Sequence, residues 1–199
     1  MQRLLLVFFV AISISFPGSA DAAEWKIDGT HSAVEFKVRH MMVSWVRGTF
    51  GKVSGTVHLD HANLAASSAT VSIDAASVDT GNEKRDKHLR DSDFFHVEKH
   101  PTITFVSRSV RAVGTNSFEF VGDLTLLGNT QQVVMAVTDV ASPIVSPWGG
   151  TKSGASASFE IQRSTYGMQY RKLLEAGGLV VGDDVKISID VELNEVTAK

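Results

Sequence analysis

The chain has 199 residues, and 19 Lys and Arg against 22 Asp and Glu give it a formal net charge of −3 at pH 7. Nucleic-acid-binding proteins usually carry a basic stripe, and proteins of anionic membrane surfaces carry clustered Lys and Arg. Neither is present, so we expect no nucleic-acid partner. Because the chain has no cysteine, disulfides, thiolate metal sites and c-type haem attachment are excluded.

The first 22 residues have the layout of an export signal. Arg3 precedes an apolar run at residues 4–16, and Ala20-Asp21-Ala22 matches the A-x-A pattern of signal peptidase. An uncleaved membrane anchor is the rival interpretation, but the run is shorter than the roughly 20 apolar residues that a membrane span needs. We therefore expect cleavage after Ala22, a single domain over residues 23–199, and a soluble protein in the periplasm.

Alternation of apolar and polar residues dominates the chain after Trp25. It is clear at residues 32–40, 53–59, 71–75, 118–126, 157–162 and 185–194. This period of two predicts half-buried β-strands. Turn sequences rich in Gly, Asn and Asp separate the strands, which indicates an all-β sandwich or barrel. Alternation alone does not distinguish the two, because each needs one apolar face per strand.

Two short stretches favour helix. The spacing Thr80-x-x-Glu83 is typical of a capping box and predicts a short helix that runs through Arg90. Residues 166–174 offer one or two further helical turns.

Several motifs carry a family resemblance through their order and spacing. They include Asp28-Gly29-Thr30-His31-Ser32, Arg47-Gly48-Thr49-Phe50, Asp79-Thr80-Gly81-Asn82, the stretch 122–130, Arg163-Ser164-Thr165-Tyr166-Gly167 and Gly182-Asp183-Asp184-Val185. From Trp25 to the C-terminus the chain resembles the YceI-like, polyisoprenoid-binding family of bacterial envelope proteins. Gln131, Gln132 and Gln162 depart from the family pattern, which bears on the head-group preference more than on the fold.

The resemblance implies an extended, lipocalin-like antiparallel β-barrel of about eight strands with one or two short helices. It also implies a periplasmic carrier, not an enzyme, that needs no cofactor and holds a polyisoprenoid or quinone-like lipid. An enzyme acting on an isoprenoid or quinone and a non-binding envelope stress protein are the alternatives. The expected partners are a small-molecule lipid and, transiently, the membrane or a membrane cytochrome. The protein is expected to be a monomer or homodimer.

Inward-facing strand positions are assigned to the apolar wall of the expected cavity. They are Val34, Phe36, Val38, Phe105, Phe118, Phe120, Leu124, Phe159 and Ile187. Burying about ten hydrocarbon carbons yields roughly 8 kcal/mol, which corresponds to about micromolar affinity.

His40 is in phase with Val38, so a regular strand would point its imidazole inward. There it would donate to a ligand phosphate or quinone oxygen. A core histidine bonded to the backbone, or a strand that ends at Arg39, explains the position at least as well.

Arg85 and His88 on the predicted helix, followed by Phe94 and Phe95, combine cationic and bulky apolar groups in the way that suits a barrel lid. Arg85 either clamps a diphosphate or forms an ion pair with Asp86. Arg163 likewise either binds the ligand or holds the structure together. Its structural role is favoured, because the glycine four residues later suggests a turn.

Histidine spacing predicts no metal site. His58 and His61 fall on a strand end, where their spacing sends the rings to opposite faces, and Pro101 bars the segment at His96 and His100 from continuing as helix. The chain also has no G-x-S-x-G elbow of a serine hydrolase.

Overall fold

A computed structural model describes residues 23–60, 63, 66–114, 117–175 and 177–196. The predicted signal segment lies outside these residues. In chain order the elements are β1 (Ala23–Ile27), β2 (Ala33–His40), β3 (Ser44–Phe50), β4 (Val53–Leu59), β5 (Ser68–Asp74), β6 (Val78–Asp79), α1 (Glu83–Arg90), β7 (Thr102–Gly114), β8 (Ser117–Leu126), β9 (Asn129–Thr138), β10 (Ile144–Val145), β11 (Thr151–Gln162) and β12 (Val181–Glu195). Short 3-10 turns lie at Ala75–Ser77 and Arg163–Tyr166.

Eight of these strands close into an antiparallel barrel. Their order is β11-β9-β8-β7-β5-β4-β1-β12, and β12 returns to pair with β11 from Asp184 to Asn194. Closure removes the open sheet edges that a sandwich would retain. The structure therefore confirms the barrel and excludes the sandwich that alternation alone left open.

Strands β2, β3 and β6 extend this wall. The long β12 pairs with β1 at its C-terminal end and with β2 along most of its remaining length. The β2–β12 register shifts between Val181 and Val185, which marks a bulge. The bulge lies at the end of the barrel that the segments around Arg163 and α1 cover.

The helix forms as predicted, but its cap differs. The side chain of Asn82, not Thr80, accepts the capping hydrogen bond from the Arg85 amide. Thr80 Oγ1 instead donates to Asp86. Residues 166–174 do not form the expected helical turns, because Arg163–Tyr166 makes a 3-10 turn that ends at Gly167 with φ of 80°. A positive φ favours glycine, so the predicted turn requirement at this position is confirmed.

The two ends of the barrel differ in what surrounds them. At the first, here called the Arg163 end, Phe94, Met168 and Val181 lie near the 3-10 turn of Arg163. At the second, the Trp25 end, the buried indole of Trp25 packs against Leu59 and Leu193. Within the described ranges, no helix has the length and apolar character required to cross a membrane.

Candidate functional site

The interior of the barrel encloses a cavity of about 240 Å³. Its lining reaches from Leu193 near the Trp25 end to Val181 near the Arg163 end. Close-packed protein cores contain few voids larger than a water molecule, so this barrel is not filled solid. Among the described residues, the polar side chains that line it are those of Ser67, Ser153 and Arg163.

The sequence keeps the lumen open with small residues on one strand. The inward positions of β11 begin with Ser153, Ala155 and Ala157, and only then become large at Phe159 and Ile161. Small inward side chains leave space that the neighbouring strands do not fill.

Two glycines keep aromatic rings against the wall. A Cβ atom added to Gly48 would lie 2.5 Å from Cζ of Phe36, and one added to Gly122 would lie 2.5 Å from Cζ of Phe105. Each phenyl ring therefore occupies the place where a side chain of the wall would begin. In this position both rings line the cavity.

The predicted wall residues lie where the alternation placed them. Val34, Phe36, Val38, Phe105, Phe118, Phe120, Leu124, Phe159 and Ile187 all line the cavity. Phe94 and Phe95, assigned to a lid, line it too, together with Leu89 of α1. Contact of these residues with a ligand stays a prediction.

The predicted polar residues lie outside the lining. His40 is the last residue of β2, as a regular strand requires, but it is half-buried and does not face the cavity. Arg85 donates from Nε to Thr80 Oγ1 at 2.7 Å and from Nη2 to the Thr80 carbonyl at 2.9 Å. The Arg85–Asp86 ion pair is absent from the described residues, because both side chains bond to Thr80 instead.

His88 also turns to a protein partner. Its Nε2 lies 3.0 Å from Oδ2 of Asp93, and its ring packs edge-on against Phe94 and Tyr170. Phe94 and Tyr170 stack on each other at 4.9 Å. The aromatic half of the predicted lid thus faces the cavity, whereas its cationic half supports the helix and the loop after it.

Arg163 is the charged residue of the lining. Arg163 is only 3% exposed. Nε donates to the Gly182 carbonyl at 2.8 Å, and Nη2 donates to the carbonyls of Tyr170 and Val181 at 2.7 and 3.0 Å. These bonds join the 3-10 turn to the bulge of β12, which is the structural role that the sequence favoured. Burial lowers the pKa of this guanidinium, and the charge of Asp183 opposes the shift.

Three buried polar side-chain atoms in the described part of the chain have no hydrogen-bond partner. They are Nε1 of Trp25, Nη1 of Arg163 and the hydroxyl oxygen of Tyr166. Burial also raises the pKa of Tyr166 to about 12. Of the three residues, only Arg163 lines the cavity. Alternation gave no signal for this donor, because Arg163 lies after the end of β11.

A polar cluster outside the barrel brings three possible metal ligands together, Asp28, His31 and Glu192. Lys152 Nζ lies 3.2 Å from Asp28 Oδ2 and 2.5 Å from Glu192 Oε1. Hydrogen bonds from Thr30 and His31 hold the pKa of Asp28 well below its usual range. Because the Lys152 ammonium already bridges both carboxylates, we interpret the cluster as an ion-pair network that fastens the loop before β2 to β11 and β12.

The other histidines follow the sequence analysis in part. The side chain of His31 is largely exposed. The rings of His96 and His100 have centroids 5.9 Å apart. His61, which was considered together with His58, lies outside the described residues.

A closed antiparallel barrel with an apolar cavity is typical of the class of small β-barrels that enclose one ligand. The YceI-like domain matches residues 25–193, and the chain belongs to this family, as the sequence motifs predicted. A UPF0312 protein of Vibrio cholerae serotype O1 is 37% identical over 171 residues, which cover 85% of this chain and 90% of that protein. Protein YceI of Escherichia coli O157:H7 is 38% identical over 171 residues, with 85% and 88% coverage.

Solved structures share the fold. Burkholderia cenocepacia BcnA superposes with a TM-score of 0.72 at 28% identity, over 83% of this chain and 98% of that one. The Campylobacter jejuni YCEI protein gives 0.66 at 27% identity, over 80% and 90%. A polyisoprenoid binding domain from Saccharophagus degradans gives 0.62 at 16% identity, over 88% and 99%, a level of identity that shows the fold alone.

Proposed function

We propose that the protein is a periplasmic carrier that holds the apolar tail of an isoprenoid-type lipid inside its barrel and catalyses no reaction on it. The observation that supports this most directly is the cavity lining, which is apolar except for Ser67, Ser153 and Arg163 among the described residues. A continuous apolar surface favours hydrocarbon and disfavours sugars, nucleotides and peptides. The polyisoprenoid binding domain named above has the same fold, which agrees with this assignment.

The cavity is long enough for an extended tail. Val185 and Leu193 of β12 both line it, and they are eight residues apart along the strand. At about 3.3 Å per residue this is roughly 26 Å, or about 20 Å along the axis of a barrel whose strands tilt by about 40°. Ten carbons buried over that length contribute roughly 8 kcal/mol before the tail loses conformational freedom. The net affinity therefore permits release as well as uptake.

The arrangement of the lining hydroxyls supports carriage over catalysis. Ser67 Oγ accepts a hydrogen bond from the Asp60 amide at 3.1 Å, and Ser153 Oγ donates to the Ala141 carbonyl at 2.8 Å. A serine nucleophile needs an adjacent base, and both of these hydroxyls bond to backbone. Incubation with a prenyl lipid is expected to return it unchanged. Conversion to a product would favour the enzyme alternative.

Organic extraction of the purified mature protein, followed by mass spectrometry, tests the carrier proposal. A prenyl lipid in stoichiometric amount is the expected result. Ala157→Leu, which narrows the lumen, is expected to reduce the extracted lipid, and Ala136→Leu on the exposed face of β9 is its matched control. A protein that yields no lipid and that binds no added C20 prenyl chain would overturn the proposal.

We further propose that the carrier loads at a bilayer through the Met41 patch, defined as Met41, Met42, Val43 and Leu173. Val43 is 80% exposed and Leu173 is 71% exposed. Met41, Met42 and Val43 lie in the turn after β2, and Leu173 lies in a short hairpin before β12, in which it pairs with Leu179. The turn and this hairpin are joined, because the Met41 amide donates to the Val180 carbonyl at 2.7 Å. Positive φ angles of 49° and 63° hold Met41 and Met42 in a conformation that non-glycine residues rarely adopt.

Although the chain as a whole has no basic stripe, the residues next to the Met41 patch in sequence include three cations against one acid, Glu175, and this local excess favours an anionic lipid surface. Arg39 precedes the turn, and Arg171 and Lys172 enter the hairpin. Vesicles of phosphatidylglycerol and phosphatidylethanolamine are expected to sediment with the protein, more weakly for Val43→Asp. Val145→Asp, at a valine that is 83% exposed near the Trp25 end, is the matched control. Equal binding by the two variants would remove the Met41 patch from the proposal. A membrane cytochrome as partner stays a prediction.

A further inference from the structure

The lining of the cavity is asymmetric in its hydrogen bonding. Ser67 and Ser153, with their hydroxyls bonded to backbone, lie near the Trp25 end. Arg163 lies at the opposite end, and its Nη1 is buried without a partner among the described residues. A guanidinium has five N–H donors, of which Nη1 carries two. Buried donors are almost always bonded, so this one calls for an acceptor that the described residues do not supply.

The direct hydrogen-bond partners of Arg163 carry no charge. Its partners are the neutral carbonyls of Tyr170, Val181 and Gly182. Among the described residues Arg163 forms no direct ion pair, and Asp183 is the carboxylate whose charge acts on it. Both oxygens of the nearby Asp183 are held by Ser164, at 3.0 Å from its amide and 2.6 Å from its hydroxyl. An acceptor oxygen, above all an anionic one, complements such a group.

We infer that Nη1 of Arg163 binds the polar end of the carried lipid and orients it in the barrel. The inference rests on the proposed function, since it needs a tail in the cavity. It adds the class of head group: one with an acceptor oxygen, which a prenyl phosphate and a prenyl quinone both offer. The tail then runs from Arg163 towards Trp25, where the polar side chains of the lining among the described residues are the hydroxyls of Ser67 and Ser153, which carry no charge.

Competition binding with three probes of similar tail length tests the inference on the unaltered protein. The probes are geranylgeranyl monophosphate, menaquinone-4 and the C20 hydrocarbon phytane. Each displaces an environment-sensitive fluorescent fatty acid from the delipidated chain. A charge-assisted hydrogen bond changes affinity by roughly ten- to hundredfold, so we expect at least one oxygen-bearing probe to exceed phytane by that factor. If only the phosphate probe binds more tightly than phytane, the site recognises an anionic head group. If the phosphate and the quinone gain affinity equally, the site recognises an acceptor oxygen whether or not it is charged.

Variants then assign the preference to one side chain. Arg163→Met removes the donor and is expected to abolish the advantage over phytane, whereas Arg163→Lys keeps the charge and part of the phosphate preference. Arg90→Met is the matched control. Arg90 donates from Nε and Nη2 to the carbonyls of Ala76 and Val78 at 2.8 and 2.7 Å, but it does not line the cavity. Its substitution is expected to leave the order of the probes unchanged.

The outcomes separate this inference from the carrier proposal. If phytane and the oxygen-bearing probes bind with equal affinity, the tail site stands and the role of Arg163 is refuted. Retention of the full preference by a folded Arg163→Met protein refutes it as well. If no probe displaces the fluorescent fatty acid, the carrier proposal itself fails. Should Arg163→Met not fold, Arg163→Lys takes its place: a folded Lys variant that keeps the full preference for both oxygen-bearing probes refutes the role of Nη1, because lysine lacks this atom.

Discussion

Filling the lumen at Ala157 tests whether the barrel is hollow. This residue lies on β11, opposite Ile189 of β12 and Val137 of β9, and it lines the cavity. Leucine adds three carbons. In empty apolar space their burial at roughly 0.8 kcal/mol each stabilises the lipid-free protein by about 2 kcal/mol, or roughly 4–8 °C in Tm. In a solid core the same atoms would destabilise it by about 1–3 kcal/mol. The sign of the change in the free energy of unfolding therefore distinguishes a hollow barrel from a solid core.

Urea denaturation of delipidated protein measures that sign. The same three carbons displace tail, so Ala157→Leu is also expected to lower the affinity for phytane by roughly fiftyfold. Ala136→Leu, on the exposed side of the adjacent β9, is expected to change the free energy of unfolding by less than about 0.5 kcal/mol. Destabilisation by Ala157→Leu beyond about 1 kcal/mol, with the control unaffected, would refute the hollow barrel.

Three further predictions concern a wall glycine, a buried hydroxyl and the ion-pair network. Gly48→Ala places a Cβ 2.5 Å from the ring of Phe36, so the ring turns into the lumen and tail affinity falls about tenfold, while Gly51→Ala, with no atom within 4 Å, has no effect. Tyr166→Phe removes an unpaired hydroxyl and leaves the free energy of unfolding unchanged or about 1 kcal/mol higher. In the unaltered protein the raised pKa of Tyr166 favours the neutral phenol in the folded state, so stability falls as the pH rises from about 10 towards 12. Tyr166→Phe has no phenol to ionise and is expected to lack this fall. The depressed pKa of Asp28 stabilises the folded protein above the unfolded pKa of about 4, and this stabilisation is lost as the pH falls. Asp28→Asn is therefore expected to reduce the loss of folding free energy below about pH 4.

Denaturation across the pH range checks the last two, and competition binding checks the first. A tail affinity that Gly48→Ala leaves intact would contradict the account of the ring position. Destabilisation of more than about 1 kcal/mol by Tyr166→Phe would reveal a partner for its hydroxyl. An unaltered loss of folding free energy at low pH in Asp28→Asn would show that the network contributes nothing to folding.

Strand periodicity predicted much of the barrel, for a physical reason. In β2, β8 and β12 one face packs inward and the other meets solvent, so the sequence alternates with the pleat. The same signal is weak in β9, where Val134 and Ala136 lie exposed within the apolar run 133–137. Whether the inner faces meet in the middle is a property of the whole barrel. It depends on pairs such as Phe36 with Gly48, which no single strand reveals.

The polar part of the candidate site was harder to predict. His40, Arg85 and His88 were chosen for their phase or their neighbours in sequence, and none lines the cavity. Arg163 was favoured only as a structural residue, yet it both fastens the turn and faces the lumen. Its burial depends on carbonyls up to 19 residues away along the chain. Local sequence patterns do not predict hydrogen bonds between residues that lie so far apart along the chain.

The Arg163 end and the Met41 patch together suggest how a polar lipid could enter an apolar tube. Val181 accepts a hydrogen bond from Arg163, and its neighbour Val180 accepts one from Met41, so the patch and the buried cation share one end of the barrel. A lipid in a bilayer has its head at the interface, where this end would dock under the two proposals. Only the hydrocarbon tail would then move from bilayer to barrel. The head group would remain near the interface throughout, and the large cost of drawing a polar group through the lumen would not arise.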